Sequence, residues 1–553
     1  MIYDLRFFRP TSLRGTKQSP RRAQRHCETP ISLRFIKKGY NEHLQYSTAR
    51  HYKVRSNLYL SVVCRHYFVL FFWGCSLFSL HAQQPNPVSL TLQQTIALAG
   101  DSSLEAFRSK NIYMSNYWGY KAFQAGRLPS LTLNLTPGQY DRTIVKRYNS
   151  EENVDIFRPQ QAYEAYGGVS VVQNFDLLGG TFFLNTNLDY LRNFGDNTYT
   201  QYTSVPVRIG YQQDLLGYNA FKWQKKIEPL KYEKAKKQLI YDLENTSGLA
   251  ATCFFNLAMA QAEYDLAQEN VHNTDTLYRI GEERYKIAAI SQSELLTLRL
   301  DRINAGNSLK NADISLKRAM FALTSFLNID KDTPIRLTLP SYPKSMDISA
   351  EKALEESRAN NPDFMGYKQN ILEQQQVIDR TKKESMFNAS IYASVGYNQV
   401  ASSFSDVYVN PLRQDIISVS LSIPLVDWGV RRGRYNMAKN NLNVMEITAR
   451  QGEIKIEEDV IMTVGDFNIQ KDMITSAEEA LVIAEDAYTK TQQRFMIGKT
   501  DISALTLSRQ RQQEARRNYI RALENYWVSY FKIRKLTLYD FEYNMPITII
   551  YDL

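Results

Sequence analysis

The sequence predicts an α+β membrane protein in which long α-helical coiled-coil hairpins join short transmembrane β-strands, the whole plan being given twice. Three observations carry that prediction. Proline is missing for 104 residues between Pro229 and Pro334 and for 121 between Pro424 and Pro546. Segments that alternate apolar and polar residues precede each of these stretches. A helical stripe and a short motif recur at an offset of 210 residues.

Each half opens alike. SLTLQQTIALAGDSSLEAF (Ser89 to Phe107) and DISAEKALEESRANNPDF (Asp347 to Phe364) begin with a capping segment and continue as an apolar-periodic helix with a Ser, Asn or Pro break. Strand candidates follow. In 130–136, Leu131, Leu133 and Leu135 share one face and Thr132 and Asn134 the other; 389–397 repeats this with Ile391, Ala393, Val395 and Tyr397. A second strand is expected at 205–213 and at 417–425. Alternation over about 9 to 11 residues suits a membrane barrel, whose side chains switch between lipid and lumen at every residue. The first half also holds an insertion at about 140–203. Two more alternating runs flank the turn Leu177 to Gly180, the clearer being Phe182, Leu184, Thr186, Leu188 and Tyr190. They predict extra hairpin structure at a barrel mouth.

The proline-free stretches license long helices, because proline costs a helix interior about 3 kcal/mol. Cys253, Leu257, Ala260, Tyr264, Ala267, Val271, Thr274 and Tyr278 are spaced alternately four and three. The same register recurs in Thr463, Phe467, Gln470, Ile474, Ala477, Leu481, Ala484 and Tyr488. A 3.5-residue repeat specifies left-handed coiled-coil packing. Each stripe ends in one motif, RYKIAAISQSELL (Arg284 to Leu296) and RFMIGKTDISALT (Arg494 to Thr506), with Arg284 matching Arg494. Gly498 is a natural helix stop, and Ser291 and Asp501 are natural N-caps. A turn there folds each stretch into a helical hairpin about 100 Å long.

Charge and rare residues exclude other classes. The formal charge of +10 comes from the leader: residues 1–82 hold 14 Lys+Arg and 3 Asp+Glu, leaving 53 against 54 in 83–553. That neutral body lacks the cation surplus by which proteins bind nucleic acid. Within the leader, Lys53, Arg55 and Arg65 precede an apolar run of 14 residues from Tyr67 to Leu80, then His81, Ala82 and Gln83. This is the pattern of a secretory signal, cut after Ala82; a lipoprotein signal acylated at Cys75 is the competing reading. Residues 1 to about 50 lack apolar periodicity and read as sequence upstream of the true start. Beyond the leader only His272 and Cys253 remain of their kinds. No zinc cluster or Ser-His-Asp set can be assembled from them, so no metal, cofactor or catalytic residue is expected. The domain reading is a leader over 1–82, a first repeat over 83–340, a second over 341–540 and a tail over 541–553.

The ordered, duplicated set of helix, two strands and long hairpin, with Pro-Leu-x-Asp-x-Gly at Pro424 to Gly429 and RFMIGKTDISAL at a tip, resembles the TolC-type outer-membrane efflux proteins. The resemblance spans Ser89 to Asp540. It implies a homotrimer in the outer membrane of a Gram-negative bacterium, with four strands per chain in one shared β-barrel and a periplasmic helical tunnel. Elementary physics also asks for an oligomer, since an open four-stranded sheet in lipid leaves backbone groups unsatisfied. The family implies as partners outer-membrane lipid, a periplasmic adaptor (membrane fusion) protein and an inner-membrane transporter of the RND or ABC type. Carried over by position, the adaptor-contact and gate tips are Ala288, Ala289, Ile290 and Ser291, and Gly498, Lys499, Thr500 and Asp501. An acidic residue six beyond the tip glycine is matched by Glu294, whereas the second half has Ala504.

The expected function is therefore a passive exit duct of an efflux or type I secretion-like system, gated at its tip. The alternative is a periplasmic coiled-coil scaffold anchored by Cys75. Gly498, Lys499 and Thr500 mimic a phosphate-binding loop, but Gln493 stands where its first glycine is required. Arg509, Arg511, Arg516, Arg517 and Arg521 read as a solvated helix face, or else as a tunnel lining.

Overall fold

The computed structural model describes residues 88–194, 198–331, 333–341 and 346–548. The leader, with its signal-like run, the cut after Ala82 and Cys75, lies outside them. In chain order the elements are β1 (Val88–Thr91), α1 (Leu92–Ser102), α2 (Leu104–Ala125), β2 (Ser130–Asn149), β3 (Val154–Phe175), β4 (Gly180–Phe194), β5 (Tyr199–Asp214), α3 (Ala220–Lys286) and α4 (Gln292–Leu327). Then follow β6 (Ile335–Thr338), α5 (Ala350–Asn360), α6 (Pro362–Glu384), β7 (Asn388–Ala401), β8 (Leu412–Ser422), α7 (Val430–Met496), α8 (Ile502–Thr537), β9 (Tyr539–Asp540) and β10 (Met545–Pro546).

The helix breaks have local causes. Ser103 ends α1 and caps α2 by accepting from the Ala106 amide. Asn361 does the same between α5 and α6, where Pro362 takes the first helical position, at which its missing N–H costs nothing. The long helices α3 and α7 each have 67 residues, and their returning partners α4 and α8 each have 36. The predicted stripe is buried or half-buried along both: Leu257, Ala260, Ala267 and Thr274 on α3, and Thr463, Phe467, Ile474 and Tyr488 on α7, are buried. Cys253 is half-buried there, and burial pushes its thiol pKa up.

One six-stranded antiparallel sheet holds β2-β3-β4-β5-β7-β8 in that order. The four expected strands all lie in it, although β8 runs over 412–422 rather than 417–425. The sheet holds two strands beyond the four expected, because the insertion builds β3 and β4 between β2 and β5. Prolines sit where a strand tolerates them: Pro137 at a bulge in edge strand β2, and Pro206 at a bulge in β5.

Beside the sheet, β1 pairs in parallel with β6 and ties the start of the first half to the link into the second. The main core lies here, with Phe254, Phe255, Phe467, Tyr526 and Leu523 fully buried between α3, α7 and α8. An ionic knot fastens it. Arg534 of α8 donates Nε and Nη2 to the two carboxylate oxygens of Glu244 on α3, both at 2.9 Å, and Nη1 to Asp540. Tyr530 Oη donates to the same Asp540 at 3.1 Å. All three charged side chains are at most 19% exposed. A Glu244→Ala variant leaves the guanidinium half-paired in a buried place, and its cost should be about 3 kcal/mol, read as a lowered unfolding midpoint.

Candidate functional site

The two faces of the sheet differ. Paired residues share a face, so the row Leu131, Val171, Leu184, Ile209 and Val395 lies on one side, ending on β8 at Asp415, which pairs with Arg413 of the same face at 3.0 Å. Its immediate neighbour along the strands, Thr132, Ser170, Asn185, Arg208, Gly396 and Gln414, lies on the other. On the polar side Arg208 Nη2 donates to Gln414 Oε1 at 2.7 Å, reaching across β7 at Gly396. A Cβ there would stand 2.6 Å from the Val207 carbonyl oxygen, so glycine is required for this close approach.

The apolar side is bounded by aromatic rings. Near the helices, Phe175, Phe182 and Tyr211 form one cluster, with centroids 5.8 and 4.6 Å apart. Near the strand turns, a chain runs Tyr163, Tyr190, Tyr202, Phe404, Tyr408 at 6.2, 5.0, 6.1 and 6.2 Å. On β4 the two groups are Phe182 and Tyr190, with Leu184, Thr186 and Leu188 between. Eight residues rise about 27 Å, or about 21 Å along the axis at a tilt of 40°. That is close to the ~25 Å apolar band of an outer-membrane barrel, flanked by aromatic girdles.

The PLVDWG turn joins the sheet to α7. Asp427 accepts from the amides of Gly429 and Arg431, both at 3.1 Å, and from Arg431 Nε at 2.6 Å, which holds its pKa down at about 2. Trp428 and Gly429 adopt left-handed φ of 53° and 88°. Trp428 is 95% exposed.

At the far ends of the hairpins, the predicted tips are turns of one design. Ala288 (φ 56°) and Gly498 (φ 78°) occupy the same left-handed position 210 residues apart. Ser291 caps α4 reciprocally with Glu294, whose Oε2 accepts from the Ser291 amide at 2.7 Å. Asp501 caps α8 by accepting from the Ala504 amide at 3.0 Å. Glu294 thus serves as a capping acid, and the Ser291 amide and hydroxyl hold its pKa below the usual carboxylate value. The cap is accordingly intact at neutral pH and is lost as pH falls through that lowered pKa.

The structure brings Ala289, Ile290, Glu294, Gly498, Thr500 and Asp501 into one cleft between the two tips; Ala288, Ser291 and Lys499 stand outside it. Two residues unassigned from sequence dominate this cleft. Arg284 donates Nη2 to the Met496 and Phe495 carbonyls at 2.8 and 3.2 Å, closing the end of α7, and stacks on the Phe495 ring at 5.5 Å. Its match to Arg494 was the visible signal. Beneath lie Leu277, Leu298, Tyr488, Phe495 and Leu505, a small core that joins the hairpins. The arginines of α8 are more engaged than a solvated face would be: Arg509 donates to Asn270 at 2.7 Å, and Arg516 and Arg517 pair with Glu485 and Glu263 at 2.8 and 3.8 Å. His272 is exposed. The mimic of a phosphate loop is the turn between α7 and α8.

A left-handed alanine costs about 1–2 kcal/mol that glycine does not. Ala288→Gly should therefore slow amide exchange around the first tip, while Gly498→Ala should speed it around the second.

The model of the outer membrane efflux protein family matches residues 353–537, from α5 through α8. No curated protein matches the chain. Among solved structures, the chain is similar to the CmeC outer membrane channel of Campylobacter jejuni at 13% identity, with a TM-score of 0.59 over 81% of this chain and 85% of that one. It is similar also to the MtrE outer membrane channel of Neisseria gonorrhoeae, solved in an open state, at 13% identity and TM-score 0.55 over 81% and 88%. The outer membrane protein VceC of Vibrio cholerae gives 13% and 0.52 over 81% and 95%. These identities speak for the fold, which is that of outer membrane channels; in sequence, the stretch from α5 through α8 is what resembles the outer membrane efflux protein family.

Proposed function

We propose that three copies of this chain form a passive exit duct in the outer membrane of a Gram-negative bacterium, the terminal part of an efflux or type I secretion-like system. The observation that carries the reading is the two-faced sheet, mainly apolar between two aromatic girdles on one side, save the Arg413–Asp415 pair on β8, and mainly polar on the other. A periplasmic scaffold has no use for such a surface. The apolar face meets lipid, the polar face lines a lumen, and the hairpins form the periplasmic tunnel.

The helices support a ring of copies. Within one chain α3 packs on α8. Displaced by 210 residues, the same contact places α7 of one copy on α4 of the next. Those two helices carry unpaired apolar stripes: Leu296, Leu300, Ile303, Ile314 and Phe321 on α4, and Val444, Ile447, Ile454 and Ile461 on α7, all 46–61% exposed. The cleft between the tips receives a periplasmic adaptor protein, through which an inner-membrane transporter of the RND or ABC type delivers cargo and supplies the energy.

Gating acts through the arginine caps. Arg284 closes the tips within a chain, and Arg494, at the same place in the second motif, is positioned to donate to the Tyr285 and Lys286 carbonyls of the next copy. Opening requires both caps to break. Wild-type protein from outer membranes should crosslink as a trimer and give small, discrete conductance steps in planar bilayers. The Arg284→Ala, Arg494→Ala double variant should conduct several-fold more, each lost charged hydrogen bond being worth about 1.5–3 kcal/mol. Monomers without conductance in both proteins would return the reading to a scaffold.

A further inference from the structure

The sheet has six strands where resemblance to the family implies four, and the added pair, β3 and β4, is built into it as fully as the rest. On one side β3 pairs with β2 from Val154 to Val172, and on the other with β4 from Gln161 to Phe175. In turn β4 pairs with β5 from Thr181 to Asn193. Between β3 and β4 the register runs without a bulge, so both faces are kept there, and the irregularity opposite Thr186 lies in β5. Phe182, Leu184, Thr186, Leu188 and Tyr190 continue the apolar side, and Asn185, Asn187 and Asp189 the polar side.

The level at which the pair enters the membrane is set by its tight turn, 176–179. Asp176 forms an ion pair with Arg127, just before β2, and its carbonyl accepts from Asn219 Nδ2 at 2.9 Å. Asn219 is itself the N-cap of α3. Gln213, at the end of β5, donates to the Leu178 carbonyl at 3.1 Å. Gly179 supplies the left-handed φ of 79° that ends the turn. The turn is therefore clamped where β2 enters the sheet and α3 leaves it, so β3 and β4 begin at the level of the other strands. A hairpin lying over the mouth would not be clamped there. One folded into the lumen would set Phe182, Leu184 and Leu188 in water.

We infer that each copy contributes six strands and that the closed trimer is an 18-stranded barrel, with β8 of one copy pairing with β2 of the next. This rests on the exit-duct reading and extends it. The free edges fit the role: β2 and β8 are the two ends of the sheet, and in hydrocarbon their unpaired N–H and C=O groups must find a strand. Among the partners available, only a second copy presents the complementary edge. Since barrel diameter grows roughly linearly with strand number, 18 strands enclose a lumen about one and a half times as wide as 12 would. Barrels of about 16 to 18 strands hold open aqueous channels. The narrow part of the duct is then the helical tip rather than the barrel, and the barrel suits cargo as large as the tunnel passes.

The test is the reaction of single cysteines with a membrane-impermeant maleimide, in trimers in outer-membrane vesicles whose Cys253 is replaced by Ser. On β4, Leu184→Cys and Asn185→Cys probe the two faces; on β8, Ile417→Cys and Ser418→Cys probe a strand expected from the family plan. The inference predicts that Asn185→Cys reacts at least about tenfold faster than Leu184→Cys, as Ser418→Cys does over Ile417→Cys, because lipid shields only alternate residues. Contrast on β8 with none on β4 overturns the 18-stranded barrel and leaves the duct standing. Absence of contrast on both strands overturns the duct as well. If either β4 variant does not assemble, Leu188→Cys and Asn187→Cys read the same two faces.

Discussion

A strand in hydrocarbon has no water to satisfy its backbone, so each N–H and C=O must be bonded to another strand. In this chain that requirement falls on a sheet with two open edges, β2 and β8. In the proposed duct everything larger follows from it: the sheet closes through neighbouring copies, and those copies bring their helices together below. The exposed apolar stripes on α4 and α7 are, in the proposed ring, the surfaces that a neighbouring copy covers.

Closure then divides the labour between the parts. In the sheet, alternation gives a single backbone one mainly apolar and one mainly polar face, and glycine at 396 admits the Arg208 to Gln414 hydrogen bond on the polar side. In the core between α3, α7 and α8, the buried Arg534 with Glu244 and Asp540 holds the long helices in one angular relation. At the tips few apolar groups are buried and polar caps do most of the fastening, so in the proposed duct these ends open with the least disruption elsewhere.

Much of this was legible because period is a local property. The 3.5-residue stripe, the strand parity of 130–136 and 389–397, and the caps at Ser291 and Asp501 depend on residues within a turn or two of each other, and they stand where they were expected. The strand count was not legible, because Pro137-Gly138, Pro159 and Gly167-Gly168 interrupt the alternation of β2 and β3 at bulges and close ring contacts. Pairing partners outvoted pattern there. The ionic knot was hidden for another reason: Glu244 and Arg534 lie 290 residues apart, and nothing local marks one carboxylate among many. Arg284 was visible as half of a repeated pair, yet its role as a cap on the other hairpin depends on how the two hairpins lie together.

The most direct measurement is amide hydrogen exchange on the protein in lipid nanodiscs, followed along β2 and β8. If the edges are paired to neighbouring copies, their amides will be protected to the same degree as those of the interior strand β5. Amides on both edges exchanging as fast as those of an open, water-exposed strand, while β5 stays protected, would show the sheet to be unclosed and would contradict a barrel made of several copies.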